Sequence, residues 1–271
     1  MRNRHGGATR PAAAVLAAVT ALGLAACGSD DDEGATTGGG SGDRPTIVVQ
    51  AAASLTEALT RCAEDSTAAR VRLSFGGSDE LAAQIRRGGG GDVLAAANAT
   101  IPAELAKEGK VERPVPFAGN ELVLAVPAKG GAVASLDDLA AGRGTLAIGS
   151  KSVPVGSYTR KALGRLPEAR RDAILDRVRT EEPDVKSVLA KLQQGVVDAA
   201  FVYRTDVTAT KGAVRAIGLP AAIQPKVGYD AAVITGTRQP QAAAAFLEDL
   251  RSGACQRALR DAGFLPPDER G

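Results

Sequence analysis

Ala51-Ala52-Ala53-Ser54-Leu55-Thr56-Glu57 holds the first residues able to do chemistry, because an apolar run (Ile47, Val48, Val49) leads straight into a serine that opens a helix pattern. Ser54 and Glu57 have the spacing of a capping box, and Leu55, Ala58, Leu59 and Cys62 fall at i, i+3, i+4 and i+7. The arrangement recurs. Val71-Arg72-Leu73-Ser74-Phe75 alternates like a strand, breaks at Gly76-Gly77 and resumes as a helix (Leu81, Ala82, Ile85) behind Ser78. A helix start offers unpaired backbone N–H groups and the positive end of the macrodipole, so a serine there can help hold an anion. Serine also caps helices that bind nothing. Two such starts, one of them beside glycines that admit a ligand close to the backbone, point to a single anion site.

Three more strand ends carry the same kind of signal. Val153-Pro154-Val155-Gly156-Ser157-Tyr158 follows Leu146-Ala147-Ile148 and reads as a tight loop before the helical Lys161-Ala162-Leu163. In Glu182-Pro183-Asp184-Val185, Asp184 is a good N-cap and Val185 the first residue of a helix through Val188, Leu189 and Leu192. Tyr203 ends the run Ala199-Ala200-Phe201-Val202, and open α/β sheets place their ligand crevices at such strand ends.

The remaining composition excludes most alternatives. The single histidine, His5, lies in a leader-like N-terminus, so the rest of the chain has no Ser-His-Asp or Cys-His pair, no histidine metal site and no imidazole base. Gly144-Thr145-Leu146-Ala147-Ile148-Gly149-Ser150-Lys151-Ser152 resembles a P-loop, but Ser150 separates the second glycine from the lysine. No Ser-x-x-Lys accompanies Ser54 to make it a nucleophile. These absences argue against an enzyme, and no cofactor is expected. Cys62 and Cys255 are either joined in a disulfide or buried separately as thiols.

The elements that position these residues alternate strand and helix from end to end, which gives an α/β fold class with mostly parallel sheets. Candidate strands span 46–49, 71–75, 92–96, 121–126, 145–148, 199–203, 214–217 and 228–235. With few aromatics and no tryptophan, the core must be built from Ala, Val, Leu and Ile. Ahead of this, Arg2, Arg4 and Arg10 precede an apolar run over 12–26 and then Cys27, as in a lipoprotein signal peptide, with a plain secretory leader as the alternative. Residues 27–43 are Gly, Ser, Thr and acid, a flexible tether. Of 33 basic residues three lie in the leader, against 31 acidic ones outside it, so the remainder carries one more acid than base and has no bias toward nucleic acid.

Taken together, these residues resemble the periplasmic molybdate-binding proteins of ABC importers, over about 46–264. The resemblance rests on Ala51 to Leu55, Phe75-Gly76-Gly77-Ser78 with Leu81 and Ile85, Gly119-Asn120-Glu121-Leu122-Val123, Val153 to Gly156 with Tyr158, Asp184-Val185, Val202-Tyr203 with Asp206, and Ala262-Gly263-Phe264. It implies a two-lobed type II periplasmic binding protein fold with the ligand cleft between the lobes. Lobe I would be 44–120 plus 229–271 and lobe II 121–228, which puts Cys62 and Cys255 in the same lobe. It further implies that molybdate, and tungstate with it, is held by the hydroxyls of Ser54 and Ser78, the backbone N–H groups of Val155 and Val185, and the phenol of Tyr203; sulfate or phosphate is the alternative oxyanion. The implied partners are an ABC permease with its ATPase and, through lipid on Cys27 alone, the outer face of the cell membrane; the implied state is a monomer. Two departures stand out. Gly77 takes a place often held by serine or another small residue, and Asp79 follows Ser78 directly, where a first-turn acid is expected to face solvent. Lys151 is expected to be solvated, or else to add countercharge to the site.

Overall fold

A computed structural model describes residues 44–267; the leader 1–26, Cys27, the tether to 43 and the last four residues lie outside the described residues. In chain order the elements are β1 (Thr46–Ala52), a 3-10 turn (Ala53–Leu55), α1 (Thr56–Asp65), β2 (Arg70–Gly76), α2 (Ser78–Arg86), β3 (Val93–Ala96), α3 (Thr100–Lys107), β4 (Val115–Asn120) and β5 (Leu122–Pro127). They continue with α4 (Leu136–Ala140), β6 (Leu146–Gly149), α5 (Pro154–Leu163), α6 (Glu168–Leu175), β7 (Val178–Glu182), α7 (Val185–Gln193), β8 (Ala199–Tyr203), α8 (Arg204–Ala209), β9 (Val214–Gly218), β10 (Val227–Val233), α9 (Pro240–Ser252) and α10 (Ala254–Asp261).

The strands form two five-stranded sheets, β2-β1-β3-β10-β4 and β7-β6-β8-β5-β9, each flanked by helices, in a two-lobed α/β fold. The first two pairings of each sheet are parallel and the last two antiparallel. Parallel pairing therefore makes up half of each sheet rather than most of it. The reason is topological: the two strands that cross between sheets, β5 and β10, each enter antiparallel to the strand beside them. The chain passes from one sheet to the other between Asn120 and Leu122 and returns before Val227.

Strands buried on both sides explain the near-continuous apolar runs, such as Val93–Ala96 and Ala199–Tyr203, whose residues are all buried. Where three strands lie side by side, Ala51, Ala95 and Ala231 are in register, and their small side chains allow helices to pack close to the sheet. Leu55, Leu59 and Cys62 of the first helical segment are fully buried beneath it; each large apolar side chain so buried contributes about 1.5–3 kcal/mol before entropy is counted. Cys62 and Cys255 are joined in a disulfide that ties α1 to α10. Among the described residues no helix is long and apolar enough to cross a membrane.

Two strands are invisible to the pattern. β4 contains Pro116 and Gly119, and β7 reads Val-Arg-Thr-Glu-Glu. Both are edge strands, where a proline costs no ladder bond and one face can stay polar.

Candidate anion-binding site

The C-terminal ends of β1, β2 and β8 and the segments that follow β3, β6 and β7 converge on one small cavity whose lining includes all five residues singled out from the sequence: Ser54, Ser78, Val155, Val185 and Tyr203. The cavity offers ≈ 20 Å³ to the centre of a water-sized sphere. Treated as round, that space is ~3.1 Å in radius out to the lining atoms, which suits one central atom with a single shell of oxygens and excludes a sugar or an amino acid.

Each donor is aimed by its local structure. The expected capping box at Ser54 does not form. The residue sits instead in the 3-10 turn, α1 starts at Thr56 without a side-chain cap, and Glu57 turns outward to Lys186. Ser54 Oγ lies 2.9 Å from Tyr229 Oη, and Asn120 Nδ2 donates to the same phenol oxygen at 3.4 Å. Because that amide can only donate, the Tyr229 proton points at Ser54 Oγ, and the serine's own proton is left for the cavity. Ser78 is the first residue of α2 behind Gly77 rather than its cap, and its Oγ accepts from the Ala97 N–H at 3.1 Å, which frees its proton in the same way.

Val155 lies inside the helix rather than in a loop, because α5 begins already at Pro154. The tuck is possible only with glycine at 156, since a Cβ there would lie 1.9 Å from Ser150 O and 2.3 Å from Gly149 O. The first helical bond in α5 runs from the Ser157 N–H to Val153 O, so the Val155 N–H is outside the ladder. At α7 the Asp184 carboxylate accepts from the N–H groups of Lys186 (2.7 Å) and Ser187 (3.0 Å) and from Ser187 Oγ (2.8 Å). Asp184 thus takes up the N–H groups of the two residues after Val185, and the Val185 N–H itself, on a residue that lines the cavity, is outside those bonds.

Electrostatics fix the protonation of the phenols. Burial pushes Tyr203 and Tyr229 well above the usual range, and the neighbouring Asp206 adds to it, so both remain protonated donors at neutral pH. Tyr203 Oη is buried and has no hydrogen-bond partner among the described residues, an orphan donor that a ligand in the cavity would satisfy. Asp206 is itself buried, and desolvation raises its carboxyl to about 6 against the lowering effect of Lys186. One of its oxygens accepts from the Tyr203 N–H at 3.2 Å, which fixes the strand end that carries the phenol.

Residues 47–265 match the model of the bacterial extracellular solute-binding proteins. The chain belongs to that family. It is 34% identical over 260 residues to the molybdate-binding protein ModA of Mycobacterium tuberculosis, covering 93% of this chain and 97% of the relative. A Bacillus subtilis chain named as an ABC transporter substrate-binding lipoprotein, YvgL, is 29% identical over 227 residues, 81% of this chain and 86% of that one. Among solved structures, the periplasmic molybdate-binding protein of Azotobacter vinelandii superimposes with a TM-score of 0.71 at 22% identity, over 82% of this chain and 99% of the other, a likeness of fold.

As a solute-binding protein, the chain acts outside the cytoplasm, and its cleft contains more than the sequence disclosed. Tyr229 and Asn120 orient the Ser54 hydroxyl without lining the cavity, and Ala97, which does line it, orients that of Ser78 through its backbone N–H. One signal was available: the chain has only three tyrosines, and they stand in a row, with Tyr203 centred 6.5 Å from Tyr158 and 6.0 Å from Tyr229. Lys151 is exposed and does not line the cavity. Asp79 departs from expectation, since one carboxylate oxygen is buried rather than solvated, though it too lies outside the lining.

Proposed function

We propose that this protein is a receptor that captures molybdate, and tungstate with it, and delivers the anion to an ABC importer. The observation that carries the reading is the cavity itself: room for one tetrahedral oxyanion, ringed by the hydroxyls of Ser54 and Ser78, the N–H groups of Val155 and Val185 and the Tyr203 phenol, with no basic side chain among its lining. Each charge-assisted bond from a neutral donor contributes about 1.5–3 kcal/mol, and several are needed to offset stripping water from a dianion. The starts of α2, α5 and α7 add aligned dipoles. Hydrogen phosphate brings a proton that needs an acceptor, and Asp184, the one carboxylate residue in the lining, already accepts three hydrogen bonds from its own helix start. The ligand needs no cofactor, and the role is binding rather than catalysis.

A lipid anchor would suit delivery. Lipid on Cys27 followed by the tether to 43 would hold a monomeric receptor within reach of its permease and raise the local concentration there. Calorimetry on the purified protein with molybdate, tungstate, sulfate and phosphate is the test. Molybdate and tungstate are expected to bind tightly, sulfate weakly and phosphate not at all; phosphate or sulfate binding tightest would overturn the reading.

A further inference from the structure

Lys186 immediately follows Val185, and it does not line the cavity. Its Nζ meets both carboxylate oxygens of Glu57, at 2.7 and 2.8 Å, and one oxygen of Asp206 at 3.2 Å. Glu57 is on α1, three residues beyond Ser54, and flanks the first sheet; Lys186 and Asp206 belong to α7 and α8, beside the second. One ammonium thus ties α7, which carries Val185, to α1 and α8, the helices that follow directly on the turn of Ser54 and the strand end of Tyr203. We propose that Lys186 and Glu57 form an interlobe latch that holds the cleft shut over its anion and sets how fast the anion leaves.

The two arms of this cluster differ in a way that decides its behaviour. The Asp206 side chain is 0% exposed and that of Lys186 26%. Burial alone would lower the lysine, but Asp206 and Glu57 raise it, so it stays charged. Their pairing lies within one lobe and persists when the lobes part, as a buried carboxylate requires. Glu57 is 51% exposed and is the sole contribution from the other lobe to this cluster. Opening the cleft breaks only the Glu57 arm and returns that carboxylate to water at little cost. A latch of this kind adds to the closed state without locking it.

The latch rests on the oxyanion reading for its ligand, and the test separates the two. In Glu57→Gln the lysine keeps Asp206 and no buried charge is stranded, so the variant folds as the wild type does. Stopped-flow release of molybdate is expected to be about two- to fivefold faster, with the association rate within 1.5-fold and the melting temperature without ligand unchanged. High salt is expected to speed release from the wild type and not from the variant, while Glu64→Gln, exposed on the same helix, changes nothing. Equal release rates in wild type and Glu57→Gln would overturn the latch while leaving the receptor intact. Failure of the wild type to bind molybdate condemns the ligand assignment instead. In that event, spin labels at Thr60 and Gln193 still read the latch through the interlobe distance: a larger share of long distances in Glu57→Gln supports it, and identical distributions overturn it.

Discussion

A serine hydroxyl is a dependable donor to an anion when another group already donates to its oxygen, and both serines here meet that condition. Ser78 receives a backbone N–H from Ala97; Ser54 receives the Tyr229 phenol, itself aligned by Asn120. Asn120 is held in turn, with its Oδ1 accepting from the Glu121 N–H at 2.9 Å and its Nδ2 donating to Thr205 Oγ1 at 2.9 Å, so the direction of the relay is set by the chain crossing itself. Tyr229→Phe tests this. The ring packs edge-on against Phe117, Tyr203 and Phe264, contacts that phenylalanine keeps. Only the hydroxyl is lost, and Ser54 becomes free to point its proton elsewhere. Molybdate affinity is expected to fall roughly five- to twentyfold by calorimetry, the equivalent of one hydrogen bond, with the melting temperature of the unliganded protein little changed. An affinity equal to wild type would mean that Ser54 orients itself without the relay.

At the scale of elements, closure depends on helix starts approaching one another, and Gly77 marks the tightest approach. Its φ of −63° and ψ of 136° suit any residue, so glycine is not needed there for backbone conformation. A Cβ, however, would lie 2.5 Å from Pro183 O across the cleft and 2.9 Å from Asp79 Oδ1. Gly77→Ala is therefore expected to cost at least tenfold in molybdate affinity while leaving the melting temperature of the unliganded protein little changed, because the freedom lost by the unfolded chain is offset by alanine's weaker capping of α2. Unchanged affinity in Gly77→Ala would show that the lobes close less tightly than this contact implies. Such contacts explain what was legible in the sequence. Helix starts announce themselves locally, through Asp184 before Val185 or Gly77 before Ser78, and the strands β1, β2 and β8 through their apolar runs. The edge strands β4 and β7 do not, since exposure permits proline and charge within them. Nor does Ser54: its partner Tyr229 is 175 residues away, and the local match to Glu57 gave a capping box where tertiary contacts claim both side chains. Lys186 reads as an ordinary surface lysine until the two lobes are brought together.

For the molecule as a whole, the first sheet is assembled from both ends of the chain, with β1 to β4 before the second sheet is visited and β10 after it. Folding that lobe must therefore close a loop containing the entire other lobe. The disulfide spans this closure. Cys62 on α1 and Cys255 on α10 are 193 residues apart in sequence, with Cα atoms 4.6 Å apart, and both are fully buried where the two helices pack. A bridge over so long a loop restricts the unfolded chain strongly, by about 5 kcal/mol in the chain-entropy account. Its position is also remote from the ligand, since neither cysteine lines the cavity. The double variant Cys62→Ser/Cys255→Ser is accordingly expected to melt roughly 10–20 °C lower in calorimetric scans, yet to bind molybdate at 25 °C within about twofold of the wild type, because a folded lobe presents the same turn at Ser54 with or without the bridge. Mass analysis after alkylation should find both sulfurs blocked unless the protein is first reduced. Free label on the unreduced protein would remove the bridge, and an unshifted melting temperature would show that the packing of α1 on α10 closes the lobe unaided.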